Sequence, residues 1–281
     1  MSNLIPLPLS FKIILGFTAV YFYSFPLIAE EYKISLGYKV YVGGIHTANI
    51  EYLSEIKSKN YTLNLRLKNS KIVGLFLSAQ MSFFSEGKII AGKPVIVKGG
   101  TDSVWRGKKY RIRLRYGSLN EAPAVKIIGP PEERPVSAIT EVMKENTTEV
   151  TGAIQNLVTS VTRDEKCDSN VRVYDGKRAF LASLKDGVTV NIKRTNYSIY
   201  RGKALRCRFV FQKLGGFRID NDDDDKPTYN PIFVWFGKPF QHKTSLPVRI
   251  EFETPTGRLI AHLNKAVIVD GKKNNPEPKK N

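Results

Sequence analysis

Lys109-Tyr110-Arg111-Ile112-Arg113-Leu114-Arg115-Tyr116-Gly117 alternates without a break. Tyr110, Ile112, Leu114 and Tyr116 fall on one side of an extended chain, and Arg111, Arg113 and Arg115 on the other. A period of two is the signature of a β-strand with one face on a core and one in water. Antiparallel sheets with a single buried face give this pattern, whereas parallel strands buried on both faces do not. The same alternation recurs outward from here. Tyr32, Ile34, Leu36, Tyr38 and Val40 share a face before Gly43-Gly44, a hairpin turn in which glycine accepts positive φ. Ile45–Tyr52 returns, and Tyr61–Leu67 alternates again. Short strands are expected near Met81–Ile89 and Pro94–Lys98.

The pattern stops at Pro130-Pro131-Glu132-Glu133-Arg134-Pro135, which reads as a linker. Ser137–Val161 then carries Ile139, Val142, Met143, Val150, Ile154, Leu157, Val158 and Val161 at helical spacing, interrupted near Asn146-Thr147-Thr148. Strands resume at Val171–Tyr174, with Asp175-Gly176 as a turn. Arg178–Leu184 returns, and Val188–Ile192 reads as a further short strand. Leu205–Phe211, Ile232–Phe236, Pro247–Glu253 and Leu259–Val269 follow, the last two joined by Thr254–Gly257. The fold class is mainly β: a strongly curved antiparallel sheet, open barrel or β-spiral, with one or two short helices in mid-chain. One β domain is expected over residues 30–270. Its halves, 30–129 and 164–270, are joined by the Pro-rich linker and helices of 130–163. Residues 271–281 read as a disordered basic tail.

Residues 1–29 read as an export leader. Lys12 precedes an apolar run from Ile13 to Tyr23, and Pro26-Leu27-Ile28-Ala29 supplies a break and a small residue for cleavage. An uncleaved anchor is the competing reading, but the run falls short of the ~20 residues of a spanning helix. The implied location is the periplasm. The chain has 281 residues, 44 basic and 26 acidic, for a net charge of +18. Cleavage would remove only Lys12 from that excess. Outside the cytoplasm the available polyanions are phospholipid headgroups, lipopolysaccharide and wall polymers, so nucleic acid is not an expected partner. The two cysteines, Cys167 and Cys207, then read as a disulfide rather than a metal or redox pair.

Catalytic signatures are sparse. His46, His242 and His262 have no spacing that would make a metal trio. There is no Gly-x-Ser-x-Gly elbow and no phosphate-binding glycine loop. Asp222–Asp225 lacks the alternation of a calcium loop. No metal and no cofactor are expected. Arg111, Arg113 and Arg115, extended by Lys109, form the best-defined candidate for an anionic ligand, because guanidinium forks match phosphate oxygens. The alternative is an ordinary solvated strand face. The aromatic residues, among them Phe83, Phe84, Trp105, Phe209, Phe211, Phe233 and Trp235, line a cavity or fill a core.

Several segments taken in order carry a resemblance. They are Gly37-Tyr38-x-Val40-Tyr41-x-Gly43-Gly44, Gly74-Leu75-Phe76, Ser85-Glu86-Gly87, Arg115-Tyr116-Gly117, Val171-x-Val173-Tyr174-Asp175-Gly176-Lys177-Arg178, Leu205-Arg206-Cys207, Gly215-Gly216-Phe217, Val234-Trp235 and Pro247–Glu251 with Thr254-Pro255-x-Gly257. Together they resemble the exported proteobacterial domain of unknown function 3108 family, over roughly residues 32–265. The strand order is similar, more loosely, to the open half-barrels of outer-membrane lipoprotein carriers. The resemblance implies a periplasmic β protein and brings no catalytic residues. The resulting expectation is a monomeric, non-enzymatic protein that binds a lipid or anionic envelope component and supports envelope integrity. The alternatives are a hydrolase of an envelope or wall polymer using an acidic pair, and a structural partner of an envelope complex.

Overall fold

A computed structural model describes residues 31–74, 79–91, 93–105, 107–118, 120–131, 134–219, 231–240 and 244–270. The leader at 1–29, Leu75, Phe76, Arg106, the Asp222–Asp225 run, His242 and the 271–281 tail lie outside the described residues. Strands β1 (Tyr32–Val42), β2 (Ile45–Lys57) and β3 (Asn60–Asn69) lead to helix α1 (Lys71–Gly74). Strands β4 (Ala79–Ile90), β5 (Lys93–Trp105), β6 (Lys108–Arg115) and β7 (Ala124–Ile128) complete the first half. Helices α2 (Glu141–Lys144) and α3 (Val150–Asp164) cross to the second. That half comprises β8 (Ser169–Tyr174), β9 (Ala179–Ile192), β10 (Gly202–Gly215), β11 (Ile232–Gly237), β12 (Leu246–Thr254) and β13 (Gly257–Asp270).

All thirteen strands form one sheet in the order β7-β6-β5-β4-β3-β2-β1-β13-β12-β11-β10-β9-β8. Every neighbour pair is antiparallel. The sheet is therefore two meanders, β1–β7 and β8–β13, joined where β1 lies against β13 from Tyr32↔Asp270 to Val42↔Leu259. Strands β7 and β8 are not paired with each other, so the sheet is open. Its edges approach at one end: a Cβ added to Gly176, in the β8–β9 turn, would lie 2.4 Å from Ile112 Cγ2 on β6. The sheet wraps α3, whose Leu157, Val158 and Val161 are buried with Ile34, Leu36, Leu63, Val248 and Leu263 in the main core. Burying a side chain of this size stabilises by about 1.5–3 kcal/mol, so α3 works as an internal plug.

The structure extends and corrects the sequence reading. Strand β7 was not expected, because Ala124-Val125-Lys126-Ile127-Ile128 does not alternate cleanly and all five residues are exposed. Strands β4 and β5 outrun Met81–Ile89 and Pro94–Lys98. Strand β5 passes through Gly99 and Gly100, where a Cβ would meet Glu149 Cγ at 2.4 Å and the Ile112 carbonyl at 2.1 Å. Glycine there reflects close approach rather than a turn. Val188–Ile192 is no separate strand. It continues β9 past Asp186, whose φ of 56° accompanies a register shift against β10. Residues 137–140 are not helical, and helical structure is confined to α2 and α3 in this region.

Cys167 and Cys207 form a disulfide across 40 positions, tying the segment after α3 to β10. Closing a loop of that length stabilises by about 4 kcal/mol in the chain-entropy account. Cys207 is fully buried. Among the described residues no helix is long and apolar enough to cross a membrane.

Candidate functional site

Directly opposed residues in antiparallel strands point to the same side. Leu36 opposes Tyr52, Tyr52 opposes Leu65, and Tyr38 opposes Ile50. These five therefore share the concave face of β1, β2 and β3. Beside them β12 brings Leu246, Pro247 and Ile250, and α3 lays Ile154 and Val158 across the opening. Together they line an apolar cleft of about 120 Å³ between helix and sheet.

Its two phenols are spoken for. Tyr38 Oη donates to the Pro247 carbonyl at 2.7 Å, and Tyr52 Oη donates to Gln155 Oε1 on α3 at 3.0 Å. Burial drives both hydroxyls far above their ordinary pKa, with the neighbouring Tyr52 adding to the effect on Tyr38 and a hydrogen bond from Ser54 opposing it on Tyr52. The cleft thus offers apolar surface and no unsatisfied phenol.

Helix α3 is held at both ends. Ser245 N–H donates to Thr162 Oγ1 at 3.1 Å, fixing the last turn to the start of β12. At the first turn Glu149, 2% exposed, caps the helix. Its Oε2 accepts from Thr151 N–H at 2.7 Å, and its Oε1 accepts from Gly152 N–H at 2.5 Å and Thr151 Oγ1 at 2.8 Å. Burial pushes this carboxyl up to about 7, and the donated hydrogen bonds only partly offset it. Tyr61 and Tyr116 face the same carboxyl. Burial, with the Glu149 charge adding to it, raises Tyr61 to about 12 and Tyr116 further. The hydroxyls of Ser85, Thr148 and Tyr116 are buried nearby without hydrogen-bond partners among the described residues. Sequence reading missed Glu149 because glutamate is not among the preferred N-cap residues.

The arginine stripe lies on the convex face, away from the cleft. Asp102 on β5 neutralises part of it. Its carboxylate accepts from Arg111 Nε at 3.0 Å and from Arg113 at 2.8 and 3.0 Å, and Arg113 also stacks over Phe84. The two guanidinium groups, led by their hydrogen bonds, hold Asp102 below the usual carboxylate range despite partial burial. Arg115 and Lys109 are exposed beside the pair. The stripe and the disulfide are thus separate features, and neither adjoins the cleft. His46 and His262 lie with Tyr41 and Tyr197 in an aromatic cluster on the convex face, with His262 buried within it. Burial lowers the His262 pKa, as does nearby Arg249, with Glu251 opposing. Of the aromatic residues, Phe209 and Phe233 pack on the core and Trp235 is buried within it. Trp105 and Phe211 remain exposed, and none of these five lines the cleft.

No family model matches the chain, and no curated protein matches it. The resemblance to the domain of unknown function 3108 family therefore rests on its motifs alone. Two solved structures are similar in shape. One is a β-barrel-like protein of the domain of unknown function 1849 family from Brucella abortus, 10% identical, with a TM-score of 0.46 over 86% of this chain and 98% of that one. The other is a candidate lipoprotein from Parabacteroides distasonis, 11% identical, with a TM-score of 0.30 over 84% of this chain and 95% of that one. At these scores neither likeness fixes the fold, which stands on the strand ladder itself.

Proposed function

We propose that this protein is a non-enzymatic component of the bacterial envelope that holds the apolar part of an envelope molecule in the cleft beneath α3. The observation that carries the reading is the cleft: ten residues from four strands and one helix, apolar throughout, with both phenols hydrogen-bonded to protein. The export leader at residues 1–29, the periplasmic location it implies and membership of the domain of unknown function 3108 family belong to the same proposal. The cationic convex face supports an anionic envelope partner, such as a phospholipid or lipopolysaccharide headgroup, through long-range attraction.

The volume limits the ligand. About 120 Å³ suits a short apolar segment, and a long acyl chain enters only if α3 moves outward. Isothermal titration of the full-length protein with hexanoate, whose short tail matches the cleft, tests this. Saturable binding that is lost in Val158→Trp, which fills the cleft from the helix side, is the expected outcome. Absence of binding to the native protein, or equal binding to the filled variant, overturns the reading.

A further inference from the structure

The two edges of the open sheet are treated differently. Strand β8 is covered: Thr148 N–H donates to the Arg172 carbonyl at 3.0 Å, Tyr174 N–H donates to the Thr148 carbonyl at 2.9 Å, and Arg172 donates to the Val142 carbonyl at 2.8 Å. The linker before α2 likewise pairs with the residues that follow β10, through Ser137 with Gly216 and Phe217. Strand β7 has no such cover. Among the described residues it is paired with β6 alone.

The direction of its backbone groups follows from β6. Tyr116 N–H donates to the Val97 carbonyl across the β5–β6 ladder. Backbone groups alternate along a strand, so Ile112 and Leu114 turn theirs toward β5, while Arg111, Arg113 and Arg115 turn theirs toward β7. Their partners Ile128, Lys126 and Ala124 are thereby engaged. Val125 and Ile127 are left pointing their N–H and C=O groups at the free edge.

The side chains add two further layers of information. Val125 and Ile127 oppose Leu114 and Ile112 and so face the core side, yet they are 38% and 44% exposed because the sheet ends there. Next to Ile127 lies a pocket of about 330 Å³, walled on its far side by Val136, Ile139, Gly176 and Gly216. The convex side of the same edge is cationic. Lys126, Arg115 and Lys109 are exposed there, and Arg111 and Arg113 share one carboxylate, Asp102.

We propose that the free edge of β7 takes up an extended strand from a partner protein whose alternate residues are apolar and acidic. Its backbone would complete the Val125 and Ile127 hydrogen bonds. Its apolar side chains would enter the pocket on the core side. Its acidic side chains would meet Lys126 and the arginines on the convex side. Exposed sheet edges bind extended peptides in this way, with main-chain bonds giving affinity and alternate side chains giving specificity. This surface is distinct from the cleft beneath α3 and stands independently of it.

The probe is a fluorescein-labelled heptapeptide of alternating aspartate and valine, with a lysine-valine peptide as the charge control, followed by fluorescence polarisation on the full-length protein. The acidic peptide is expected to bind and the basic one not to. The double variant Val125→Pro, Ile127→Pro removes the two outward N–H donors without removing a β6–β7 hydrogen bond. It is expected to weaken binding by at least about tenfold. Lys126→Glu, a surface change that leaves the backbone intact, is expected to weaken the acidic peptide and favour the basic one. Val158→Trp is expected to leave peptide binding unchanged. Failure of the acidic peptide to bind at about 1 mM, or equal binding by Lys126→Glu, overturns the proposal. So does sedimentation showing that the edge is occupied by a second copy of this chain.

Discussion

Glu149 places a carboxyl in the interior, where no cation pairs with it among the described residues, and its protons are therefore coupled to folding. In the unfolded chain the group titrates near 4.5, and in the folded protein near 7. Between those values the unfolded chain binds fewer protons, so native stability falls as pH rises and levels off above about 7. The loss amounts to ~3 kcal/mol. Glu149→Gln keeps an acceptor for the helix amides and has nothing to titrate. Unfolding free energies from urea titrations at pH 5 and pH 7.5 should show the variant gaining on the native protein by about 2 kcal/mol at the higher pH. Gly99 is the complementary residue on β5. Gly99→Ala puts a methyl 2.4 Å from Glu149 Cγ, and a cost of about 1–3 kcal/mol is expected from such overpacking. The same urea titration reads it.

At the scale of elements, α3 is the component without which the sheet has no interior. Its cap, its Thr162–Ser245 clasp and the nearby disulfide hold it from three sides. Replacing Cys167 and Cys207 by serine is expected to cost about 2–4 kcal/mol, seen as a lower thermal midpoint that no longer responds to a reducing agent. The helix itself was legible from Ile154, Leu157, Val158 and Val161 at helical spacing, and most strands were legible from alternation. Strand β7 was hidden because an edge strand with no buried face carries no alternation. The extension of β5 was hidden because Gly99-Gly100 breaks the pattern that would announce it. The disulfide followed from the expected compartment and the count of two cysteines. The cleft was not legible at all: its residues come from β1, β2, β3, β12 and α3, and only the curvature of the sheet brings them together. The alternation of the arginine stripe was legible, but Asp102, its partner on the neighbouring strand, shows only once the register is known.

For the whole molecule, an excess of cations is spread over a surface that is only locally balanced. Asp102→Ala would release Arg111 and Arg113 together. Co-sedimentation with phosphatidylglycerol vesicles at low salt should then rise relative to the native protein, and the difference should vanish near 0.5 M salt, where screening is nearly complete. The pairing of β1 with β13 has a consequence for the order in which the protein is made. The first strand of the sheet finds one of its two neighbours only when residues 257–270 have emerged. Until then the β1 to β7 meander carries an unsatisfied edge on each side and lacks half of its wall. A chain delivered amino end first must wait, partly assembled, for its final segment. The join in the middle of the sheet therefore cannot form until that segment is present, and until then the β1 edge is open to mispairing.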